Sequence, residues 1–247
     1  TSSQPKGVVL SHDSFCGFVL ANVTPADPDP ETAERTLLTV PLYHIAGTQA
    51  LMSGVYGGRT LVLQPQFEPV AWMDLVQREK VNRTMVVPTM LKTLMDHEEF
   101  EKFDLSSLEV ITYGAAAMPE AVLMDALEKF PDAQFINAFG QTETAATITM
   151  LSSEDHRLIG TPEEIEAKKR RIRSIGRPLE DVEIQIVDDL GKAVEQGATG
   201  EIVARGSRLM KGYWNNLDAT SGALQDGWLH TGDLGWADEG GYIFLAG

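Results

Sequence analysis

The feature that most constrains this chain is an alternation of two periods over residues 11–136. Short apolar runs rich in β-branched residues, Thr36–Val40, Thr60–Leu63, Thr84–Val87, Leu108–Thr112 and the run around Phe135, are separated by segments with helical spacing. Ser11–Asn22 reads as a helix closed by a Pro- and Asp-rich cluster at 24–30, and Ile45–Tyr56 as an apolar helix ended by Gly57-Gly58. Trp72, Leu75 and Val76 share one face after Pro69. Leu91, Leu94 and Met95 do so within a Met90–His97 helix, and Leu123, Ala126, Leu127 and Phe130 align after Pro119. Strands without polar alternation are buried on both faces, and parallel neighbours need a crossover between them. The pattern therefore predicts an α/β fold: a parallel-sheet layer flanked by helices.

Beyond about residue 150 the period changes. Thr161-Pro162-Glu163-Glu164 has the form of a capping box with proline at the first helical position, and the helix is expected to run to about Arg173. Its last turns carry Lys168, Lys169, Arg170, Arg171 and Arg173. The helix dipole and i,i+4 pairs Glu164–Lys168 and Glu166–Arg170 account for these charges without any polyanionic partner. From Gly176 onward Val182, Ile184 and Ile186 alternate with polar residues, Asp188–Gly191 is turn-like, and Gly200–Gly206, Trp228–His230 and Tyr242–Leu245 read as strands. The expected division is an α/β subdomain over residues 1–175 and a small antiparallel, barrel-like subdomain over 176–247.

Composition then excludes classes of function. A net charge of −16 disfavours nucleic acid as a partner. The single cysteine, Cys16, forbids an internal disulfide and suits the cytoplasm. No apolar run approaches the ~20 residues of a membrane span, and no signal peptide is visible. The chain opens on Thr1, without a methionine, and stops after a strand-like run, so both ends are expected to be cut from a longer parent. A homo-oligomer is left open.

Two loops carry candidate chemistry. Thr1-Ser2-Ser3-Gln4-Pro5-Lys6-Gly7 offers hydroxyls, backbone N–H groups and one cation to a phosphate, without the spacing of a Walker loop. Asn137-Ala138-Phe139-Gly140-Gln141-Thr142-Glu143 follows a strand, and Gly140 is expected to permit a sharp turn that delivers Thr142 and Glu143 past the strand's carboxyl end. A hydroxyl there donates to phosphate oxygen and a carboxylate suits Mg²⁺. Taken alone, the second loop is equally well a polar loop with one structural glycine.

Order along the chain adds specificity. Pro5-Lys6-Gly7, Pro41-Leu42-Tyr43-His44, Gly114–Pro119, Phe139–Glu143, Gly200–Gly206, Gly212-Tyr213-Trp214-Asn215 and Gly227–Leu234 follow one another. This series resembles the adenylate-forming (AMP-binding) enzymes, most of all the acyl-CoA synthetases, along essentially the whole chain. The resemblance implies activation of a small carboxylic acid (fatty, alicyclic or aromatic) by ATP to acyl-AMP, then transfer to CoA. It implies that Thr1, Ser2, Ser3 and Lys6 hold phosphate, that Thr142 contacts the α-phosphate and that Glu143 holds Mg²⁺. Thr142, Glu143 and Lys6 are thus the expected catalytic set. Gly114, Ala115 and Ala116 are expected to offer a flat backbone surface to adenine, with Phe139 stacking opposite and Asn137, Gly140 and Gln141 alongside. Asp233 is expected on the ribose hydroxyls, in a Thr231-Gly232-Asp233 turn. His44 and Gly114 border the acyl pocket, which Ile45–Tyr56 and Val87-Pro88-Thr89 help to line; Tyr213 and Trp214 read as packing residues.

Ser3 stands where the family's phosphate loop usually has glycine, and Phe139 where it commonly has tyrosine. The resemblance implies an N-terminal part and a mobile C-terminal domain outside these residues; none of the lysines matches the context of that domain's catalytic lysine, so these 247 residues alone are expected to be nearly inactive. Two other readings stay open: an adenylation domain that loads a carrier protein, and a non-catalytic nucleotide-binding sensor.

Overall fold

The structure, a computed structural model, describes residues 5–27 and 34–246. Thr1, Ser2 and Ser3 lie outside the described residues. In chain order the elements are β1 (Val8–Val9), α1 (His12–Asn22), β2 (Arg35–Leu38), α2 (Ile45–Tyr56), β3 (Thr60–Leu63), α3 (Pro69–Glu79), β4 (Arg83–Val86) and α4 (Pro88–Met95). They continue with β5 (Val110–Gly114), α5 (Glu120–Lys129), β6 (Gln134–Gln141), β7 (Ala146–Leu151), α6 (Ser153–His156) and α7 (Pro162–Arg171). The chain ends with β8 (Arg177–Pro178), β9 (Glu183–Val187), β10 (Gly200–Arg205), β11 (Gly212–Tyr213), α8 (Leu217–Ala223), β12 (Leu224–Gln225), β13 (Trp228–Ala237) and β14 (Ile243–Leu245). These elements form two compact units, one of residues 22–138 and 151–173, the other of residues 1–21, 139–150 and 174–247.

The first unit is the α/β layer. Its strands are parallel in the order β3-β2-β4-β5-β6. Leu37, Val86, Ile111, Tyr113 and Phe135 on the strands are buried, as are Trp72, Met73, Val76, Leu91, Leu94, Leu123 and Ala126 on the helices. Burial of a large apolar side chain stabilises by roughly 1.5–3 kcal/mol, which is why the apolar stripes, and not helix propensity, fix these helices. The order has one reversal. β2 steps outward to β3, and the next strand returns to the other side of β2. Right-handed crossovers then place α2 on one face and α3, α4 and α5, which pack in series, on the other. The chains leaving β2 and β4 diverge, and such a switch point opens a crevice at the strands' carboxyl ends.

The excursion Leu151–Arg173 belongs to this unit although the chain on either side does not. The capping box read from the sequence is present: the Glu164 amide donates to Thr161 Oγ1 at 3.3 Å and the Thr161 amide to Glu164 Oε2 at 2.8 Å. The expected i,i+4 pairs do not form. Lys168 donates instead to the carbonyls of Arg157 and Ile159, at 2.8 and 3.2 Å, which the preceding segment places beside the helix. Glu166 pairs with Lys169, one residue closer, at 2.8 Å.

His156 is 3% exposed in this excursion, and burial holds its imidazole below the ordinary histidine value, against the opposing pull of the Ser152 carbonyl and Asp155. Its folded value lies below its unfolded one, so the unfolded chain takes up the proton first. Stability from this group is complete above about pH 6.5 and falls as pH drops from there toward the folded value. Thermal melts between pH 7.5 and 5 should show that decline, and His156→Gln should make it shallower; an unchanged slope would remove His156 as its source.

The second unit is mainly antiparallel. β12, β13, β10 and β9 are neighbours in that order, β14 pairs with β13, β7 pairs with β8, and β1 pairs with β11. Its cores are the clusters around Ile148, Val182, Ala204 and Leu229 and around Ile175, Ile202 and Ile243. The fold class is thus the one the two periods predict.

Three local expectations are corrected. The strand around Phe135 does not end before Gly140; β6 continues to Gln141. Gly140 is not the turn residue, since a Cβ there would lie 1.8 Å from the Ala146 carbonyl oxygen; glycine serves the close approach of two extended segments. The reversal falls at Thr142–Thr144, with Ala145 and Ala146 at φ 51° and 85°, and leads into β7, a strand the sequence reading lacks. The Thr231-Gly232-Asp233 segment is not a turn between strands but a bulge inside β13. His230 pairs with Val203 while Leu234 pairs with Glu201, and Gly232 has φ 79°.

Candidate active site

In the second unit the end of β6 presents Gln141, Thr142 and Glu143 on a reversal that is held from behind. Thr144, fully buried, accepts from the Gln141 amide at 3.0 Å and donates to the Ala146 carbonyl at 2.5 Å. Arg208, also fully buried, pairs with Asp181 through Nε and, at 3.1 Å, Nη2; its Nη1 donates to the carbonyls of Thr147 at 2.8 Å and Thr144 at 3.4 Å. The Met210 amide donates to the Glu143 carbonyl at 2.8 Å. Thr142 and Glu143 themselves are half-buried, so the rigid backing leaves their side chains accessible.

Glu143 is oriented by a residue that the sequence reading assigned to packing. Tyr213 is 9% exposed and packs in the core, yet its hydroxyl donates to Glu143 Oε1 at 2.7 Å. Burial, then the Glu143 carboxylate, pushes the phenol well above its ordinary value, so it stays protonated and stays a donor. Glu143 Oε2 has no partner among the described residues. Lys6 Nζ lies over the same ring, 4.4 Å from its centroid. The signal available in the sequence was chemical: a tyrosine in an apolar setting has a hydroxyl that must find a partner.

Asp233 sits in the β13 bulge, and that bulge is tied to the same reversal. Gln141 Nε2 donates to the Thr231 carbonyl at 3.3 Å. Thr231 Oγ1 donates to the Ile202 carbonyl at 2.7 Å and accepts from the Asp233 amide at 3.1 Å. Glu201 accepts from the Gly232 amide at 3.0 Å and lies 2.7 Å from His230 Nδ1. Asp233 has its carboxyl raised by burial and by Glu201. Phe139 is half-buried and packs against both apolar clusters of the unit. The second unit therefore gathers a cation, two carboxylates and a hydroxyl: Lys6, Glu143, Asp233 and Thr142.

The first unit carries the other expected residues along its switch-point edge. Gly114 ends β5 beside Ala138, whose carbonyl oxygen would lie 2.2 Å from a Cβ at 114. Ala115 has φ 63°, a left-handed conformation that costs a non-glycine residue about 1–2 kcal/mol. Ala115 and Ala116 are exposed and Asn137 is half-buried. Small side chains and a strained turn give an open strip of backbone there. His44 follows β2 as the N-cap of α2, exposed, with Nδ1 accepting from the Ala46 amide at 3.2 Å. That bond fixes Nδ1 as the acceptor.

No group of three or more His, Cys, Asp or Glu side chains among the described residues forms a ready-made metal cage. The donor set around Glu143, one oriented carboxylate with a free oxygen, fits a hard cation that keeps most of its ligands from water and phosphate. No helix among the described residues is long and apolar enough to cross a membrane.

Comparison with known proteins identifies the class. The model of the AMP-binding enzyme family matches residues 1–214, and the chain belongs to that family. It is 34% identical over 245 residues to the medium/long-chain-fatty-acid–CoA ligase FadD8 of Mycobacterium tuberculosis, covering 99% of this chain and 40% of that protein. It is 31% identical to the indoleacetate–CoA ligase of Aromatoleum aromaticum, covering 100% of this chain and 46% of that one. Among solved structures, the amide bond synthetase McbA of Marinactinospora thermotolerans superimposes with a TM-score of 0.85 at 33% identity, over 99% of this chain and 46% of its own. The chain thus spans less than half the length of these relatives.

Proposed function

We propose that this chain is the nucleotide- and acid-binding part of an ATP-dependent acid–thiol ligase. The observation that carries the reading is the Lys6–Tyr213–Glu143 alignment, a cation and an oriented carboxylate on one phenol at the end of β6. The carboxylate oxygen of a small acid attacks the α-phosphorus of ATP, the bond to pyrophosphate breaks, and acyl-AMP forms. A CoA thiol then attacks the acyl carbonyl and AMP leaves. Lys6 neutralises phosphate charge, Thr1, Ser2 and Ser3 donate hydrogen bonds to the phosphates, and Thr142 donates to the α-phosphate. Glu143 holds Mg²⁺, which draws charge from the phosphate oxygens when bound. Gly114, Ala115 and Ala116 lie against adenine, with Phe139 on the other ring face and Asn137, Gly140 and Gln141 at the rim. Asp233 accepts from the ribose hydroxyls.

The acid lies at the switch point, between His44, the start of α2, Gly114 and Val87–Thr89. These residues present no lysine or arginine for a second carboxylate. Relatives named for fatty acids, indoleacetate and 4-coumarate support a fatty or aromatic acid. ATP–pyrophosphate exchange by the full-length protein with a panel of such acids tests the reading. Exchange followed by CoA thioester formation is expected, and no exchange with any acid would favour a nucleotide sensor. Exchange without a thioester points to another acceptor, a carrier protein or, given the amide bond synthetase neighbour, an amine. The 247 residues alone are expected to turn over slowly, since they span under half of their relatives.

Tyr213 supplies a sharper prediction. Tyr213→Phe keeps the ring against the core and under Lys6 but frees Glu143 Oε1. Loss of a partner that orients a metal ligand weakens metal affinity about 10–100-fold. The variant should need correspondingly more Mg²⁺ for half-maximal exchange, at nearly unchanged stability. An unaltered Mg²⁺ requirement would return Tyr213 to a packing role.

A further inference from the structure

The Gly114–Pro119 segment is gripped on both sides by the 151–173 excursion. Tyr113, immediately before it, is fully buried, and its hydroxyl lies 2.9 Å from His156 Nε2. His156 Nδ1 lies 2.7 Å from the Ser152 carbonyl oxygen. A carbonyl only accepts, so Nδ1 carries the imidazole proton, Nε2 is the lone pair, and the Tyr113 hydroxyl must be the donor. The two rings meet edge to face at 5.6 Å, and Phe135 packs at 6.4 Å on the imidazole. The turn bearing His156 is itself fixed, because Ser152 Oγ donates to Asp155 Oδ2 at 2.9 Å and Arg171 reaches Asp155 Oδ1 at 3.4 Å. Immediately after the segment, Glu120 pairs with Arg173 at 3.0 Å, at the far end of the same excursion.

Between these anchors lies a backbone that would not hold its shape unaided. Ala115 is left-handed at φ 63°, and Gly114 abuts the Ala138 carbonyl. Strained backbone persists where its surroundings over-determine it. We infer that Tyr113 and His156 are positioning residues for nucleotide binding: their hydrogen bond clamps the 151–173 excursion onto the end of β5 and so sets the backbone strip at Gly114–Ala116. The inference rests on the adenine-binding role proposed above for that strip. The adenine ring is remote from the bonds that change, so its contacts are equal in ground and transition states. Loosening them raises KM for ATP and leaves kcat in place.

The test uses the full-length enzyme and steady-state pyrophosphate exchange. Tyr113→Phe deletes the hydroxyl and keeps the ring. It should raise KM for ATP about five- to ten-fold, the scale of one buried neutral hydrogen bond, with kcat within about two-fold and KM for the acid unchanged. Two substitutions at 156 separate positioning from packing. His156→Gln places an amide near Nε2 and can still accept from Tyr113, so it should stay near wild type. His156→Asn reproduces the Nδ1 donor to Ser152 but cannot reach Tyr113, so it should match Tyr113→Phe. Lowered kcat at unchanged KM, the signature of a smaller folded fraction, would overturn the positioning role, as would equal KM for the two 156 variants. Should Tyr113→Phe not fold, the two 156 variants decide. If wild-type enzyme shows no ATP-dependent exchange, the proposed function fails and this inference falls with it. Exchange by wild type with unmoved KM in the variants sinks the inference alone.

Discussion

Glu143→Gln in the full-length protein is expected to lower Mg²⁺-ATP-dependent exchange by about 10²-fold or more while changing stability by less than about 0.5 kcal/mol. The substitution is nearly isosteric. The amide oxygen still accepts from Tyr213, the Met210 amide still holds the Glu143 carbonyl, and neither Thr144 nor Arg208 touches the lost charge. What disappears is the negative charge on the free oxygen, the property that a hard dication requires. Added Mg²⁺ should restore only part of the rate, because a neutral amide is a poor ligand at any concentration. Exchange kinetics across a Mg²⁺ titration, beside a urea melt, check both halves. Full activity in the variant would remove the metal role from Glu143.

Arg208→Ala is expected to act in the opposite sense, on stability first, by about 3–5 kcal/mol. The guanidinium is fully buried and serves Asp181, Thr144 and Thr147 together, so truncation strands a carboxylate and leaves two carbonyls without their donor. Its stem also fills the space that glycine leaves at position 17, where a Cβ would lie 2.9 Å from Arg208 Cγ. Arg208→Lys should not rescue, since one ammonium cannot reproduce the fork that spans carboxylate and carbonyls. Urea midpoints at constant m-value measure the effect. A loss below about 1 kcal/mol would show that the buried pair contributes little beyond an apolar filler. Because the carbonyls it holds belong to the reversal behind Glu143, any folded Arg208 variant should also need more Mg²⁺.

These two residues mark what sequence can and cannot reveal. Glu143 was legible as a candidate because it stands in a short run, Phe139–Glu143, whose chemistry is local: glycine, hydroxyl and carboxylate fall together at the end of one strand. Arg208 was not, since nothing in Ser207-Arg208-Leu209 distinguishes a buried arginine from a surface one. Its role depends on Asp181 and on Thr144 and Thr147, more than 25 and more than 60 positions away. Tyr213 lies between these cases. The sequence reading assigned it to packing, whereas its partner, 70 residues distant, was not readable. His156 was passed over for the same reason, its acceptor role being defined by Tyr113, 43 residues earlier.

The sequence by itself determined the α/β layer, the antiparallel β-rich segment and the family, because hydrophobic period and ordered short motifs are properties of neighbouring residues. It misplaced the turn at Gly140 and read the bulge at Gly232 as a turn. A glycine that yields to an approaching strand and a glycine that turns the chain look identical until the neighbour is known. Tertiary structure alone decided that residues 5–21 and 139–150 belong with the C-terminal strands, and that an excursion 151–173 returns to β5. The physical reason is one of range. Local propensity and periodicity act over a few residues, but the partner of a buried polar group is chosen by whichever distant segment can satisfy it at packing density.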